Sequence, residues 1–157
     1  MEYDKNNGFK KIEYEPNFQL VIINSNIEHS TQSMVSKVKE FENKNKEEFL
    51  RLSNLESELV EDVLKLVKEN KVQEIGLKMN QNQEYLENIG ISNNELVKMV
   101  KIGQESSFGA KITGSGGGGC IFALTNESNL QNILKKFKDN NYECFSAKID
   151  FKGLNTF

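Results

Sequence analysis

The ten residues Lys111-Ile112-Thr113-Gly114-Ser115-Gly116-Gly117-Gly118-Gly119-Cys120 decide how the rest of the chain is read. Five of the 11 glycines fall within six consecutive positions. A flexible linker of that composition separates domains. This one separates two short apolar runs of strand length, Ala110–Thr113 and Cys120–Leu124. A hairpin turn needs only about two glycine-type residues. The surplus asks for backbone that is approached closely or that takes positive φ at several positions. Successive amides so arranged form a concave nest for anionic oxygens, with phosphate the natural guest. Lys111 can add a charge nearby.

Two phosphate motifs fail on this stretch. Gly114-x-Gly116-x-x-Gly119 has the spacing of the dinucleotide fingerprint, but that fingerprint opens a helix and this one runs into Cys120-Ile121-Phe122-Ala123-Leu124. A Walker A loop places Lys and Ser/Thr directly after its last glycine, where Cys120-Ile121 stands.

Working outward, Glu127–Asp139 has Leu130, Ile133, Leu134 and Phe137 at helical spacing. The alternation after it predicts a strand with Phe145, Ala147, Ile149 and Phe151 turned inward and Ser146, Lys148 and Asp150 wet. On the N-terminal side four helices precede the loop. Thr31 opens the first, with Ser30 or Thr31 as cap and Met34, Val35, Val38 and Phe41 on its apolar side. Lys46–Glu69 carries the stripe Leu52, Leu55, Leu59, Val63 and Leu66. The third uses Ile75, Met79, Leu86 and Ile89 and stops near Gly90. Ser92-Asn93-Asn94-Glu95 reads as a capping box for the fourth, which carries Leu96, Val97 and Val100. Before them, Phe9–Tyr14 and Phe18–Ile23 read as strands, Asn24–Ser30 as a polar loop and Met1–Gly8 as a polar tail. The order ββ, four helices, ββαβ predicts an α+β fold, with helices on a largely antiparallel sheet.

Composition narrows the function classes. A chain of 157 residues suits one domain. With 20 basic and 23 acidic residues the net charge is -3, which speaks against a nucleic-acid groove or a membrane surface. No apolar run reaches the roughly 18 residues of a membrane span, and Met1–Lys11 lacks the apolar core of a secretion signal. Cys120 and Cys144 make neither a disulfide framework nor a metal pattern; they read as small buried hydrophobes in a reducing, cytoplasmic setting. The lone histidine, His29, sits in a polar loop and reads as a surface residue without a catalytic role.

The decapeptide resembles the third signature motif of the GHMP kinases, the family of galactokinase, homoserine kinase and mevalonate kinase, in the form most like the mevalonate kinases. Neighbouring segments agree. Met79-Asn80-Gln81-Asn82-Gln83, Leu86 and Ile89-Gly90-Ile91-Ser92 resemble the helix and turn upstream of that motif, and Leu20–Asn24 with Ser30-Thr31, Val35 and Val38 resembles the family's strand, Ser-Thr element and following helix. The resemblance spans about Phe9 to Ala147. It implies the C-terminal domain of such a kinase over 17–157, with an antiparallel, ferredoxin-like sheet and helices packed on one face, and makes 1–16 the end of a missing N-terminal domain. It implies ATP and Mg²⁺ as cofactors of the intact enzyme, phosphoryl transfer to the hydroxyl of mevalonate in isoprenoid-precursor synthesis, and an N-terminal kinase domain as partner; a homodimer is compatible with it. Lys111, Gly114, Ser115, Gly116, Gly117, Gly118 and Gly119 would approach the nucleotide phosphates, and Ser30 and Thr31 the acceptor.

The family's Pro-x-x-x-Gly-Leu-Gly-Ser-Ser-Ala nucleotide loop and its catalytic aspartate and lysine have no counterpart in this sequence. The chain is therefore expected to hold no catalytic residue and no metal ligand, and to be inactive alone. Two other readings stand beside this one. The first is a family kinase acting on phosphomevalonate, homoserine or a sugar. The second is a non-enzymatic α+β module that binds a phosphorylated ligand or a partner subunit.

Overall fold

The computed structural model describes residues 2–6, 8–10 and 17–149. In chain order the elements are β1 (Glu2–Asp4), β2 (Gly8–Lys10), β3 (Gln19–Asn24), α1 (Thr31–Lys44), α2 (Lys46–Lys68), α3 (Val72–Ile89), α4 (Asn94–Ser106), β4 (Gly109–Ile112), β5 (Cys120–Thr125), α5 (Leu130–Asp139) and β6 (Glu143–Ala147). The expected tail Met1–Gly8 holds a strand instead. β1 and β2 form an antiparallel hairpin, and Gly8 adopts φ +73° where the chain re-enters it. Phe9 and Lys10 of the expected strand Phe9–Tyr14 lie in β2, and its other residues lie outside the described ones.

The main sheet has the order β4-β5-β3-β6, every neighbour antiparallel. With α4 and α5 as the crossovers this is the βαββαβ, ferredoxin-like arrangement. Asn24 at the end of β3 lies opposite both Cys120 and Glu143. The connection leaving β3 and the glycine loop entering β5 therefore emerge at the same end of the sheet.

One face of the sheet makes the principal core. Val21, Ile23, Ala110, Ile112, Ile121 and Ala123 pack against Leu96, Met99 and Val100 of α4 and Ile133 and Phe137 of α5. A smaller cluster joins Ile75 and Met79 of α3 to Leu124. Burying such side chains removes apolar area from water at about 25 cal/mol per Å², the main drive for the fold. α3 also lies along the edge strand β4 at backbone contact. A Cβ on Gly76 would fall 2.1 Å from the Phe108 carbonyl oxygen, and one on Gly109 2.0 Å from that of Gly76.

Three expectations change. In β6 the core-facing residue is Cys144, opposite Ile23, whereas Phe145 pairs with Ile22 on the other face and is 61% exposed. Alternation gives two faces; α5, on which Cys144 rests, decides which is inner. In α1 only Met34 is buried, and Val35 is 60% exposed. The α4 cap is Asn93 rather than Ser92, its side chain accepting the Leu96 amide at 2.9 Å. Ser30 caps α1 as expected, taking the Ser33 amide at 3.3 Å. No helix among the described residues is long and apolar enough to cross a membrane.

Candidate functional site

The glycine loop is a built structure. Gly114, Gly116, Gly117 and Gly119 all have positive φ, between +71° and +78°. An L-residue pays roughly 1–2 kcal/mol in that region. Close approach is the second constraint, and the protein itself supplies it. A Cβ on Gly116 would lie 2.3 Å from the Ile91 carbonyl oxygen, and one on Gly117 2.5 Å from Met34 Sδ. At Gly114 nothing lies within 4 Å of that position, so only φ demands glycine there.

Three elements hold the loop. The Gly117 amide donates to the Ile91 carbonyl at 2.7 Å, and Asn93 Nδ2 donates to the Gly117 carbonyl at 2.9 Å. Asn93 thus caps α4 with its oxygen and pins the loop with its nitrogen. The β3–α1 connection holds the far side. There Ser25 N donates to Gly119 O at 2.9 Å, and Gly119 N donates to Ile27 O at 3.1 Å. Ser115 Oγ approaches Thr31 Oγ1 at 3.4 Å, at the start of α1. Two helix N-termini, those of α1 and α4, therefore begin beside the loop.

The amides divide into two sets. Those of Gly117 and Gly119 are spent on carbonyls of the chain. Those of Gly114, Ser115, Gly116 and Gly118 donate to no partner among the described residues. Together with two helix N-termini they provide a concentration of positive partial charge suited to an anion.

Lys111 lies off to one side of these amides. Its side chain crosses to the sheet face opposite α4 and α5. There Nζ donates to the Ile112 carbonyl at 3.0 Å and sits 5.4 Å above the Phe122 ring. Loss of water pulls its ammonium below the usual lysine range, and the Glu56 carboxylate partly offsets this. Lys111 and Gly114 line a groove of about 460 Å³ between α2 and α3, walled by Phe49, Leu52, Tyr85 and Leu86. Ser30 and Thr31 are exposed. Both cysteines are free and half-buried rather than sealed in the core; burial pushes the Cys144 thiol up. Among the described residues no three His, Cys, Asp or Glu side chains come together to hold a metal ion.

Sequence reasoning missed two residues on α3. Ala110 and Ile112 of edge strand β4 turn their amides away from β5. Asn80 Oδ1 accepts the first at 3.0 Å and Gln83 Oε1 the second at 2.8 Å. The available signal was a pair of amide side chains three residues apart, on the side of the helix that also carries Met79.

The family model for the C-terminal part of GHMP kinases matches residues 63–143. The mevalonate kinase of Methanocaldococcus jannaschii is 32% identical over 151 residues, covering 92% of this chain and 46% of that enzyme. The crystal structure of L. major mevalonate kinase in complex with R-mevalonate superimposes with a TM-score of 0.85 at 25% identity, over 93% of this chain and 48% of that one. Streptococcus pneumoniae phosphomevalonate kinase shares the fold, with a TM-score of 0.75 at 19% identity, over 90% of this chain and 43% of that one. The chain thus spans about half the length of the first two relatives.

Proposed function

Because this chain belongs to the GHMP kinase family through its C-terminal domain, we propose that it forms the C-terminal half of an ATP-dependent, mevalonate-type kinase. The intact enzyme would move the γ-phosphoryl group of ATP to the hydroxyl of mevalonate. The supporting observation is the set of four unspent amides at Gly114, Ser115, Gly116 and Gly118, beside two helix N-termini. It lies in a chain that matches a mevalonate kinase over 92% of its length.

Phosphoryl transfer asks mainly for positioning and for fixed dipoles aimed at oxygen charge. This domain would supply one wall of the cleft. Its loop amides would face the polyphosphate, Lys111 would add charge from the flank, and Thr31 with Ser30 would border the acceptor. The chain's own hydrogen bonds hold those dipoles in place beforehand, so little reorganisation is needed when charge develops. Mg²⁺ would travel with the nucleotide. The phosphate-cradling loop and the carboxylate that orients the hydroxyl would come from an N-terminal kinase half, which makes the separate chain inactive.

Phosphomevalonate is the second acceptor to test, since a phosphomevalonate kinase shares the fold. The experiment is to join the chain to an N-terminal half and assay ADP release with a panel of acceptors. Turnover with mevalonate above phosphomevalonate, homoserine and galactose supports the reading, and preference for another acceptor reassigns the substrate within the family.

A further inference from the structure

His29 is exposed, yet its ring does not stand free in solvent. It lies against the two glycines that close the loop. A Cβ on Gly118 would meet the Ile27 carbonyl oxygen first, at 2.4 Å, with His29 Nδ1 at 3.2 Å. At Gly119 the ring is all there is: Cε1 at 3.1 Å and Nδ1 at 3.7 Å are the only atoms within 4 Å of its Cβ position, neighbouring residues aside. Gly119 has φ +71°, and its amide and carbonyl are both tied to the β3–α1 connection that carries His29. Gly118, one peptide earlier, has an amide that donates to no partner among the described residues. Glycine peptides have the widest conformational freedom and no side chains of their own to limit it. The Gly117 carbonyl, in the same planar peptide as the Gly118 amide, is held by Asn93 Nδ2 at 2.9 Å; the next peptide, which carries the Gly119 amide, is the one beside the His29 ring.

We propose that His29 is a positioning residue for the glycine loop: its imidazole, beside Gly119, keeps the end of the loop seated on the β3–α1 connection. The contact acts through ring shape. It is the side-chain member of a clamp whose backbone members are the Ser25–Gly119 and Gly119–Ile27 hydrogen bonds. What the positioning serves rests on the kinase reading above; that the ring positions the loop does not.

The test is amide hydrogen exchange in the 157-residue chain, with His29→Ala and His29→Phe compared with the parent. Exchange reports local opening of the Gly119 amide separately from opening of the core. In His29→Ala, Gly119 exchange rises roughly tenfold while the core amide of Ala123 is unchanged, and His29→Phe restores most of the protection, since a flat ring replaces a flat ring. Unchanged Gly119 exchange in His29→Ala overturns the proposal. So does faster exchange that His29→Phe fails to restore, and so does loss of protection throughout the core, which would make His29 a fold residue. In the joined enzyme the same pair should show kcat/KM falling about tenfold for His29→Ala and recovering in His29→Phe. A joined parent enzyme that transfers no phosphoryl group defeats the kinase reading and leaves the exchange result to decide the role of His29.

Discussion

Gln83 on α3 accepts the backbone amide of Ile112 on β4 at 2.8 Å, and with Asn80 on the Ala110 amide it ties the helical layer to the strand that feeds the glycine loop. β4 is an edge strand, and its outward amides are covered by side chains instead of by another strand. Gln83 is 1% exposed, and its Nε2 also donates to Glu87 at 2.8 Å. Replacing it by leucine leaves a buried amide without a partner, at a cost of about 1–3 kcal/mol. Urea unfolding of Gln83→Leu should show a lower midpoint with an unchanged slope. Gln83→Glu should lose at least as much, because its second oxygen replaces the donor to Glu87 and sets a buried carboxylate against that of Glu87.

The loop glycines should rank by what surrounds them. Gly114→Ala carries only the positive-φ penalty of about 1–2 kcal/mol. Gly116→Ala adds a collision with the Ile91 carbonyl, and overpacking of that kind costs about 1–3 kcal/mol more. Thermal unfolding should therefore place Gly116→Ala well below Gly114→Ala. Equal melting points would show that the Ile91 contact does not constrain the loop.

Burial pulls the Lys111 pKa down, so folding disfavours its ammonium. Lys111→Met should leave the melting temperature unchanged or raise it. In the joined enzyme the same substitution should weaken ATP binding about tenfold, the order expected for loss of a charge-assisted contact. Stability and affinity moving in opposite directions is the signature; a parallel fall in both would make Lys111 a structural residue.

Tyr142 gives the fold an alkaline limb. Its hydroxyl, withdrawn from water and hydrogen-bonded to Glu95, has its pKa pushed up to about 12 from an ordinary 10.0. The folded state thus holds the proton more tightly than the unfolded chain. That stabilisation is fully present below pH 10 and is lost as the pH rises towards 12. Stability measured from pH 9 to about pH 12 should fall more steeply for the parent than for Tyr142→Phe, which has no proton to lose.

Much of this architecture was legible in the residue order. The strand-loop-strand reading of Lys111–Cys120 held, as did the Ser30 cap and the stripe through Leu52 and Leu59, because each depends on neighbours a few positions away. Other features depend on distant parts of the chain. Phe145 and Cys144 alternate in any strand, and only the position of α5 sends Cys144 inward. Val35 has helical spacing, but α1 buries little beyond Met34. Asn93 outranks Ser92 as a cap because its nitrogen also finds Gly117, 24 residues on. The glycine run signalled positive φ or close approach, and the loop has both, yet nothing local told that Ile91 and Met34 would be the groups approaching. Nor could a polar loop declare that His29 would fold back onto Gly118 and Gly119.

The most direct measurement is mevalonate-dependent ADP release, taken on the purified 157-residue chain alone and after joining it to an N-terminal kinase half. The account predicts no release from the chain alone and release from the joined protein that is lowered by Gly114→Ala. Turnover by the isolated chain, or joined-protein turnover indifferent to that substitution, would contradict it.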